Sequence, residues 1–397
     1  MDSMTKIVIL TEVGFSQRDY FRWGIKKIQK IFDIKILDFT KISYPHFFEV
    51  HKEKIYESGN YHEIQEINKA KNLIDNFKPA FAFDNMTPHS NNSRQIREFL
   101  KKKKIKTVHI QSGLVPSIKR KFYEKLHRIF SLILRPRFFL LKIKKIFKNK
   151  LSGQNKEKNC EIILISGLKG IKKINKNKEI IYSHSYDYEF YLDYTKNLSS
   201  NYFSKKNFIV FLDQYVPFHP GAIMRGEKPK ATKKNYYPAI NNFFSFLENK
   251  SKKKILIAAH PRADYSKKNP FQNRAIIENK TIELVNNADI VLAHTSTSIS
   301  FAVLFKKPII FLTSNEIIKS YDDFRIHSLA RELNSVLINI DKFESFSESI
   351  DLNEIIKINN KNYRDYKRNY IKHPNSENIS MWDNIANILT NKIEIKN

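Results

Sequence analysis

Short apolar strands alternate with helical segments along most of the chain, and this alternation limits the possible folds more than any other feature. The first such unit has a strand-like run at 6–13, helical spacing of apolar residues at 19–32 and a second strand-like run at 33–40. Strands that alternate with helices of about ten to fifteen residues are typical of parallel sheets covered by helices. The pattern therefore predicts an α/β protein.

The same alternation continues in two series. Further strands are predicted at 77–85, 105–113, 160–167, 179–185, 207–215, 253–261, 288–296 and 307–313, and helices at 63–76, 94–103, 186–196, 237–249, 279–286 and 298–305. At about 100–200 residues per domain, 397 residues suggest two domains. We expect two Rossmann-like doubly wound domains facing a cleft, at 1–196 and 207–360. A helical tail at 361–397, with Trp382, Ile385 and Leu389 on one face, is expected to pack back on the first domain.

Composition excludes several classes of protein. Hydrophobic residues make up 41% of the chain, too many for a disordered protein, and nine glycines are too few for Gly-rich repeats. The single cysteine, Cys160, excludes an internal disulfide framework and a Cys-rich zinc site. No signal-peptide pattern and no apolar stretch of about 18 residues occurs, so a cytoplasmic location is expected.

The charge is concentrated in one segment. The chain carries 70 Lys and Arg against 40 Asp and Glu, a formal net charge of +30, and 118–150 alone holds twelve Lys or Arg with one acid, Glu124. Phe and Leu residues alternate with these cations, a pattern typical of amphipathic helices that bind anionic lipid surfaces. We expect 118–150 to bring the protein to the inner face of the cytoplasmic membrane. The alternative is a basic helical pair packed on the first domain.

Polar side chains follow several strands of the second series. His260, Pro261 and Arg262 follow one strand, where imidazole and guanidinium groups bind phosphate oxygens. His294, Thr295, Ser296, Thr297 and Ser298 join another strand to a helix, where hydroxyls that cap the helix would form a phosphate site. A histidine that ends a strand and hydroxyls that act as plain N-caps are the ordinary alternatives.

Carboxylates at strand ends are candidates for a catalytic base. Asp213 ends a strand before an aromatic, proline-rich loop that contains His219, and Asp19 follows the first strand. Each also fits an ordinary turn or helix cap. Other residues expected near the cleft are Glu12, Arg18, Asp84, Ser183 and His184.

The missing motifs narrow the chemistry. The sequence has no G-x-G-x-x-G, no G-x-x-x-x-G-K-[ST] and no G-x-S-x-G, so dinucleotide, Walker-type and hydrolase sites lack support. It has no D-x-D to hold a divalent ion on a diphosphate and no H-E-x-x-H spacing. We expect neither a metal nor a separate cofactor.

The H-P-R motif, the Ser/Thr-rich loop and K-P-I-I-F-L together resemble glycosyltransferases of the GT-B fold, over about 207–315. More narrowly, they resemble bacterial sialyltransferases and Kdo transferases that build surface carbohydrate. This resemblance implies that His260, Ser296 and Thr297 contact the phosphate of a CMP-activated sugar, and that Asp213 or Asp19 acts as base. The D/E-D/E-G motif of those families is missing here.

The leading hypothesis is thus an inverting, metal-independent glycosyltransferase that moves a sugar from a nucleotide-sugar donor to a surface glycan or lipid-linked acceptor. We expect the domain at 207–360 to bind the nucleotide-sugar and the domain at 1–196 to lie on the acceptor side. The alternatives are a nucleotide-sugar epimerase or polyol-phosphate transferase of similar fold and, less favoured, a nucleic-acid-binding protein. No recognised nucleic-acid module is visible, and the charge is concentrated in one aromatic and aliphatic segment, so we expect no nucleic-acid partner. The sugar, the acceptor and the linkage are not encoded in any motif that we find.

Overall fold

The computed structural model describes residues 4–51, 59–87, 90–116, 160–171, 178–197, 207–224, 226–266, 268–346 and 351–394. The basic segment 118–150 lies outside the described residues, so its membrane-surface role stays a prediction. Within these ranges, no helix is both long enough and apolar enough to cross a bilayer.

Seven parallel strands form the first sheet, in the order β3-β2-β1-β4-β5-β6-β7. The buried β1 lies between β2 and β4, and its Ile9 pairs with Ile36 and Phe83. The strands are β1 (Thr5–Thr11), β2 (Phe32–Asp38), β3 (Tyr61–Glu63), β4 (Phe81–Asn85), β5 (Lys106–Gln111), β6 (Ile162–Ile165) and β7 (Glu179–Tyr182). Continuous apolar runs such as KIVIL form its core because both faces of a parallel sheet are covered by helices.

The helices of this part are α1 (Gln17–Arg22), α2 (Ile25–Ile28), α3 (Thr40–Ser43), α4 (Pro45–His51), α5 (Ile67–Phe77), α6 (Asn91–Lys102), α7 (Leu168–Ile171) and α8 (Tyr186–Lys196). One prediction is wrong here, since the single helix expected over 19–32 is two short helices. They are separated at Gly24, whose left-handed backbone (φ 55°) ends the first helix. A Cβ atom at Gly24 would lie 2.3 Å from the Trp382 ring, so close packing also requires glycine.

Six parallel strands form the second sheet, in the order β10-β9-β8-β11-β12-β13. They are β8 (Phe208–Leu212), β9 (Lys254–Ala258), β10 (Ile276–Ile277), β11 (Ile290–Ala293), β12 (Ile309–Thr313) and β13 (Leu337–Asn339). Its helices are α9 (Pro220–Met224), α10 (Lys233–Ser251), α11 (Thr281–Asn287), α12 (Ile299–Leu304), α13 (Tyr321–Leu333) and α14 (Leu352–Ile355), with 3₁₀ turns at Val216–Phe218, Ile317–Lys319 and Phe343–Phe346. Two parallel α/β sheets confirm the predicted fold class.

The C-terminal segment connects the two domains. Helix α15 (Asn360–Tyr366) and the π-helix Lys367–Ile371 pack in the core of the second domain, where Tyr363 and Tyr366 are buried. Helix α16 (Met381–Glu394) instead completes the core of the first domain. Its buried Trp382 contacts Trp23 at 5.7 Å between ring centroids. The expected packing of the C-terminal helix on the first domain is therefore confirmed.

The strand orders locate the ligand site that this fold favours. In each sheet the strand order reverses at one point, between β1 and β4 in the first and between β8 and β11 in the second. In doubly wound sheets, ligands bind beyond the carboxyl ends of the strands at such a switch point. The fold therefore predicts a ligand-binding site at the loops that follow β1, β8 and β11.

Candidate functional site

A cavity of about 600 Å³ lies between the two domains, at the switch point of the second sheet and beside helix α1 of the first domain. The first domain contributes residues of α1 and of the first turns of α8, and the rest comes from strand ends, loops and helices of the second domain. The polar and aromatic lining residues are Gln17, Arg18, Phe21, Arg22, Asp187, Phe190, Asp213, Gln214, His219, Lys230, His260, Asn279, Thr281, Thr295, Ser296, Thr297, Ser298, Phe301 and Arg325. Positive groups predominate, so the cavity suits an anionic ligand.

One glutamine connects the two loops at the switch point of the second sheet. The Gln214 side chain, after β8, accepts a hydrogen bond from the Thr295 N–H at 2.9 Å. Its amide also donates to Thr295 Oγ1 at 3.1 Å. Because Thr295 follows β11, these bonds join the two loops on either side of the switch point. The Ser/Thr loop is thereby fixed at the cavity wall.

Asp213 is buried at the end of β8 and orients its neighbours. Its carboxylate accepts hydrogen bonds from Tyr265 Oη at 2.6 Å, from the Tyr215 N–H at 2.8 Å and from the His260 N–H at 3.4 Å. Burial raises the pKa of Asp213 above its ordinary value, although the Tyr265 hydrogen bond opposes part of that rise. A buried carboxylate with a raised pKa is a stronger base than an exposed one.

Two histidines of the cavity share one geometry. His260 Nδ1 accepts from the Arg262 N–H at 3.1 Å, and His219 Nδ1 accepts from the Gly221 N–H at 3.0 Å. In the neutral ring, an accepting Nδ1 leaves the proton on Nε2. The two rings are 5.8 Å apart. Both side chains line the cavity, and in this tautomer each ring carries its N–H at Nε2.

The Ser/Thr loop lines the cavity, but its hydroxyls do not cap helix α12, although the sequence predicts that they would. Ser298 occupies the N-cap position of α12 and makes no side-chain capping bond. The Ser296 hydroxyl instead accepts from the Ser298 N–H at 3.2 Å. Since α12 has only six residues, its dipole adds little, and the loop offers hydroxyl and N–H groups rather than a helix terminus.

Arg262 and His294 lie outside the cavity lining, contrary to expectation. The Arg262 guanidinium crosses to the first domain, donates to the Val13 carbonyl at 2.9 Å and lies 3.5 Å from the Asp19 carboxylate. His294 is 2% exposed. Its Nδ1 lies 2.7 Å from the Leu312 carbonyl and its Nε2 2.8 Å from the Tyr236 hydroxyl. Both ring nitrogens are engaged in the core, so His294 is structural.

Four other candidates are also in structural networks rather than in the cavity. Glu12 is fully buried and accepts from Ser43, Thr87 and Ser90. Asp84 forms a buried ion pair with Arg97. The remaining two, Ser183 and His184, are buried beyond β7, with His184 Nε2 2.9 Å from Glu189.

Asp19 is a helix-capping residue. Its carboxylate accepts from the Ser16 hydroxyl at 2.7 Å and the Ser16 N–H at 3.1 Å, while the Asp19 N–H donates to Ser16 Oγ, which makes a capping box at the start of α1. Arg18, beside it, does line the cavity, as expected.

Sequence reasoning missed Arg22, Lys230 and Arg325, which also line the cavity. The spacing of Arg18 and Arg22 was a usable signal, because residues four apart share one face of a helix. Lys230 and Arg325 lie far from any recognised motif and reach the cavity only through the fold. No group of three or more His, Cys, Asp or Glu side chains in the described ranges is arranged to hold a metal ion.

No protein-family model and no curated protein matches this sequence. Solved structures are similar over nearly the whole chain. UDP-GlcNAc 2-epimerase from Methanocaldococcus jannaschii, in complex with UDP-GlcNAc and UDP, has a TM-score of 0.54 at 15% identity and covers 98% of this chain and 100% of its own. The wall teichoic acid polymerase TagF has a TM-score of 0.53 at 13% identity, covering 99% and 90%.

The chain has the GT-B architecture. The kitacinnamycin glycotransferase is a further structure of similar fold, with a TM-score of 0.50 at 8% identity over 98% of this chain and 99% of that one. At such identities the similarity defines the fold alone, so the activity must be argued from the cavity. The narrower resemblance to sialyltransferases and Kdo transferases stays a prediction.

Proposed function

We propose that the protein is a glycosyltransferase that moves a sugar from a nucleotide-activated donor to an acceptor hydroxyl in the cleft between its domains. The observation that carries this proposal is the convergence of His219, His260, the 295–298 loop and Asp213 on one cavity at the switch point of the second sheet. Imidazole and hydroxyl donors beside a buried carboxylate suit a reaction in which a phosphate departs while a hydroxyl is deprotonated.

In the proposed step, the acceptor oxygen bonds to the anomeric carbon as the bond from that carbon to the phosphate oxygen breaks. The electron pair of the broken bond goes to the phosphate, where donors from His219, His260 and Ser296 stabilise the added charge. The acceptor proton passes to Asp213. A single displacement of this kind inverts the configuration at the carbon.

The cavity lining is best matched by a nucleoside diphosphate sugar as the donor. Lys230 and Arg325 line the cavity together with the two imidazoles, and several cationic or N–H donors suit two phosphate groups better than one. We therefore propose a UDP- or GDP-linked sugar as the first donor to test. A CMP-linked ulosonic acid is the alternative that the sequence resemblance favours. The growing surface glycan remains our proposed acceptor.

A nucleotide-sugar epimerase is the second candidate. It is favoured by the similarity to UDP-GlcNAc 2-epimerase over the full length of both chains. The two activities differ in what they require, because an epimerase converts the donor with no acceptor present. Proton NMR of a UDP-GlcNAc mixture without acceptor separates them, since an epimerised sugar would contradict the transferase proposal.

A nucleotide screen by thermal shift tests the proposal. A ligand that binds only the folded state stabilises it by about 2.7 kcal/mol at a concentration of 100 times Kd. We expect UDP or GDP to raise the melting temperature of the full chain, with adenosine at equal concentration as control. Stabilisation by CMP alone would transfer the proposal to CMP-linked donors. If no nucleotide stabilised the protein, the transferase proposal would be lost.

A further inference from the structure

One face of helix α1 lines the cavity with two cations and an aromatic ring. Arg18, Phe21 and Arg22 all lie on the cavity wall that the first domain contributes. Their spacing of three and four residues places them side by side on a helix. The groups proposed for the donor phosphates come instead from the second domain. The cavity therefore has a second polar wall that the donor contacts proposed above do not use.

The two arginines are half-buried, and the carboxylate of Asp187 is an acidic neighbour of both. Arg22 Nε is buried and meets no hydrogen-bond acceptor in the part of the chain that the structure describes. Its guanidinium lies over the Tyr186 ring, 4.2 Å from the centroid. Burial and then the neighbouring Arg22 lower the pKa of Arg18, although Asp19 and Asp187 oppose part of that effect. Two neighbouring cations with an incomplete set of acceptors favour an added anion.

Phe21 adds an apolar surface beside the two cations. Its side chain is 55% exposed although it lines the cavity. A large exposed ring at the wall of a polar cavity is typical of a ligand contact rather than of core packing. Aromatic rings pack against apolar faces of ligands, and sugar rings have such C–H faces. A ring on the same cavity wall as two guanidinium groups thus matches a sugar that also carries negative charge.

We propose that the Arg18–Phe21–Arg22 face binds the acceptor and selects a negatively charged glycan, one whose repeating unit carries a carboxylate or a phosphodiester. This inference rests on the proposed transferase function, because it assigns the second wall of the same cavity to the acceptor. The net charge of +30 also attracts anionic chains at long range, whatever their chemical structure.

Binding of defined glycans to the full chain in the presence of UDP tests the proposal. The probes are a hyaluronan tetrasaccharide with carboxylates, a glycerol-phosphate oligomer with phosphodiesters, and chitotetraose as a neutral chain. We expect one of the two anionic probes to bind at least tenfold more tightly than chitotetraose by calorimetry, and its binding to weaken with salt. The probe that binds identifies the source of the charge.

Variants assign the binding to the helix face. We expect Arg18→Gln and Arg22→Gln each to weaken the anionic probe about tenfold or more while UDP binding stays within about twofold. Phe21→Ala should weaken the binding of anionic and neutral probes alike. The matched control is Arg94→Gln, an exposed arginine of α6. All chains are checked for an unchanged melting temperature before titration.

Three outcomes would overturn the inference. Equal binding of neutral and anionic probes would exclude charge selection, and unchanged anion binding in both arginine variants would place the anion elsewhere. Loss of UDP binding with glycan binding intact would assign the arginines to the donor. In all three cases the transferase proposal stands if UDP still binds wild-type protein. Failure of UDP, GDP and CMP to bind wild type is instead the failure of the proposed function.

Discussion

At the scale of single residues, His260 is the hydrogen-bond donor whose removal is most informative. We expect His260→Ala to lower turnover by about 10² to 10³-fold, the usual effect of losing one donor to a developing charge. His327, an exposed histidine of α13, gives the control variant His327→Ala. Steady-state kinetics and the melting temperature are measured together. Normal turnover in a well-folded His260→Ala chain would remove this residue from the mechanism.

Asp213 should behave as a base and not as a binding group. We expect Asp213→Asn to lose about 10² to 10⁴-fold in turnover and to keep UDP stabilisation. The Tyr265 hydroxyl holds the pKa of Asp213 lower than burial alone would set it. In Tyr265→Phe that pKa rises, so the acid limb of the kcat/KM profile should shift to higher pH. An unshifted profile would mean that another group is the base.

Local sequence pattern predicts the position of some of these residues but not of others. Asp213 and His260 follow strands of a parallel sheet, and local pattern alone locates such strand ends. His294 follows a strand equally well, yet its partners Tyr236 and Leu312 are 58 and 18 residues away. A single sequence carries no signal for those contacts. The position of Arg262 outside the cavity lining was unpredictable for the same reason, because its acceptor Val13 lies 249 residues earlier.

At the scale of elements, predictable and unpredictable strands differ in length and position. The strands predicted from apolar runs are all present, with ends displaced by a few residues. The strands β3, β10 and β13 were not predicted, and each is two or three residues long at a sheet edge. Runs this short have no measurable periodicity, so only pairing with the neighbouring strand defines them.

The break between α1 and α2 gives a stability prediction. We expect Gly24→Ala to destabilise the protein by more than the roughly 1 kcal/mol that a left-handed backbone alone costs, because its Cβ would also clash with Trp382. Gly226→Ala is the matched control, with φ of 61° and no atom within 4 Å of the added Cβ. Urea unfolding measures both variants. Equal losses would show that the Trp382 contact gives way easily.

The joint between α8 and the start of α16 should be sensitive to acid. Burial alone would raise the pKa of Glu189, but hydrogen bonds from His184, Lys27, Ser380 and the Met381 N–H outweigh it and lower the pKa to about 2, from an ordinary 4.5. Because the folded pKa is the lower one, Glu189 contributes stability above about pH 4.5 and loses it as the pH falls toward about 2.

The difference between wild type and Glu189→Gln isolates this contribution from other acids. We expect Glu189→Gln to be less stable than wild type at pH 7 and the gap to narrow as the pH falls below about 4.5. Exposed Glu98 in α6 supplies the control Glu98→Gln, whose gap should stay near zero. Urea unfolding at a series of pH values measures the gaps. A gap for Glu189→Gln that does not change with pH would contradict the prediction.

At the scale of the whole molecule, Arg262 forms a contact between the two domains. Its guanidinium bonds to Val13 and faces Asp19, and it lies 5.8 Å from the Phe47 ring. Partly exposed ion pairs add little to stability, so we expect Arg262→Met to change the free energy of unfolding by less than about 1 kcal/mol. The KM for the donor should rise severalfold because fewer molecules have a closed cleft. An unchanged KM would show that the Arg262 contact does not contribute to closure of the cleft.

The position of α16 has a consequence for how the chain folds during translation. The ribosome releases the strands of the first domain first, but the helix that covers Trp23 and Ile25 emerges only after the whole second domain. Domains usually fold as units in order of synthesis. Here the domain that is made first keeps an uncovered apolar face while the second is still being made. Its burial by residues 381–394 makes completion of the first domain depend on synthesis of the second.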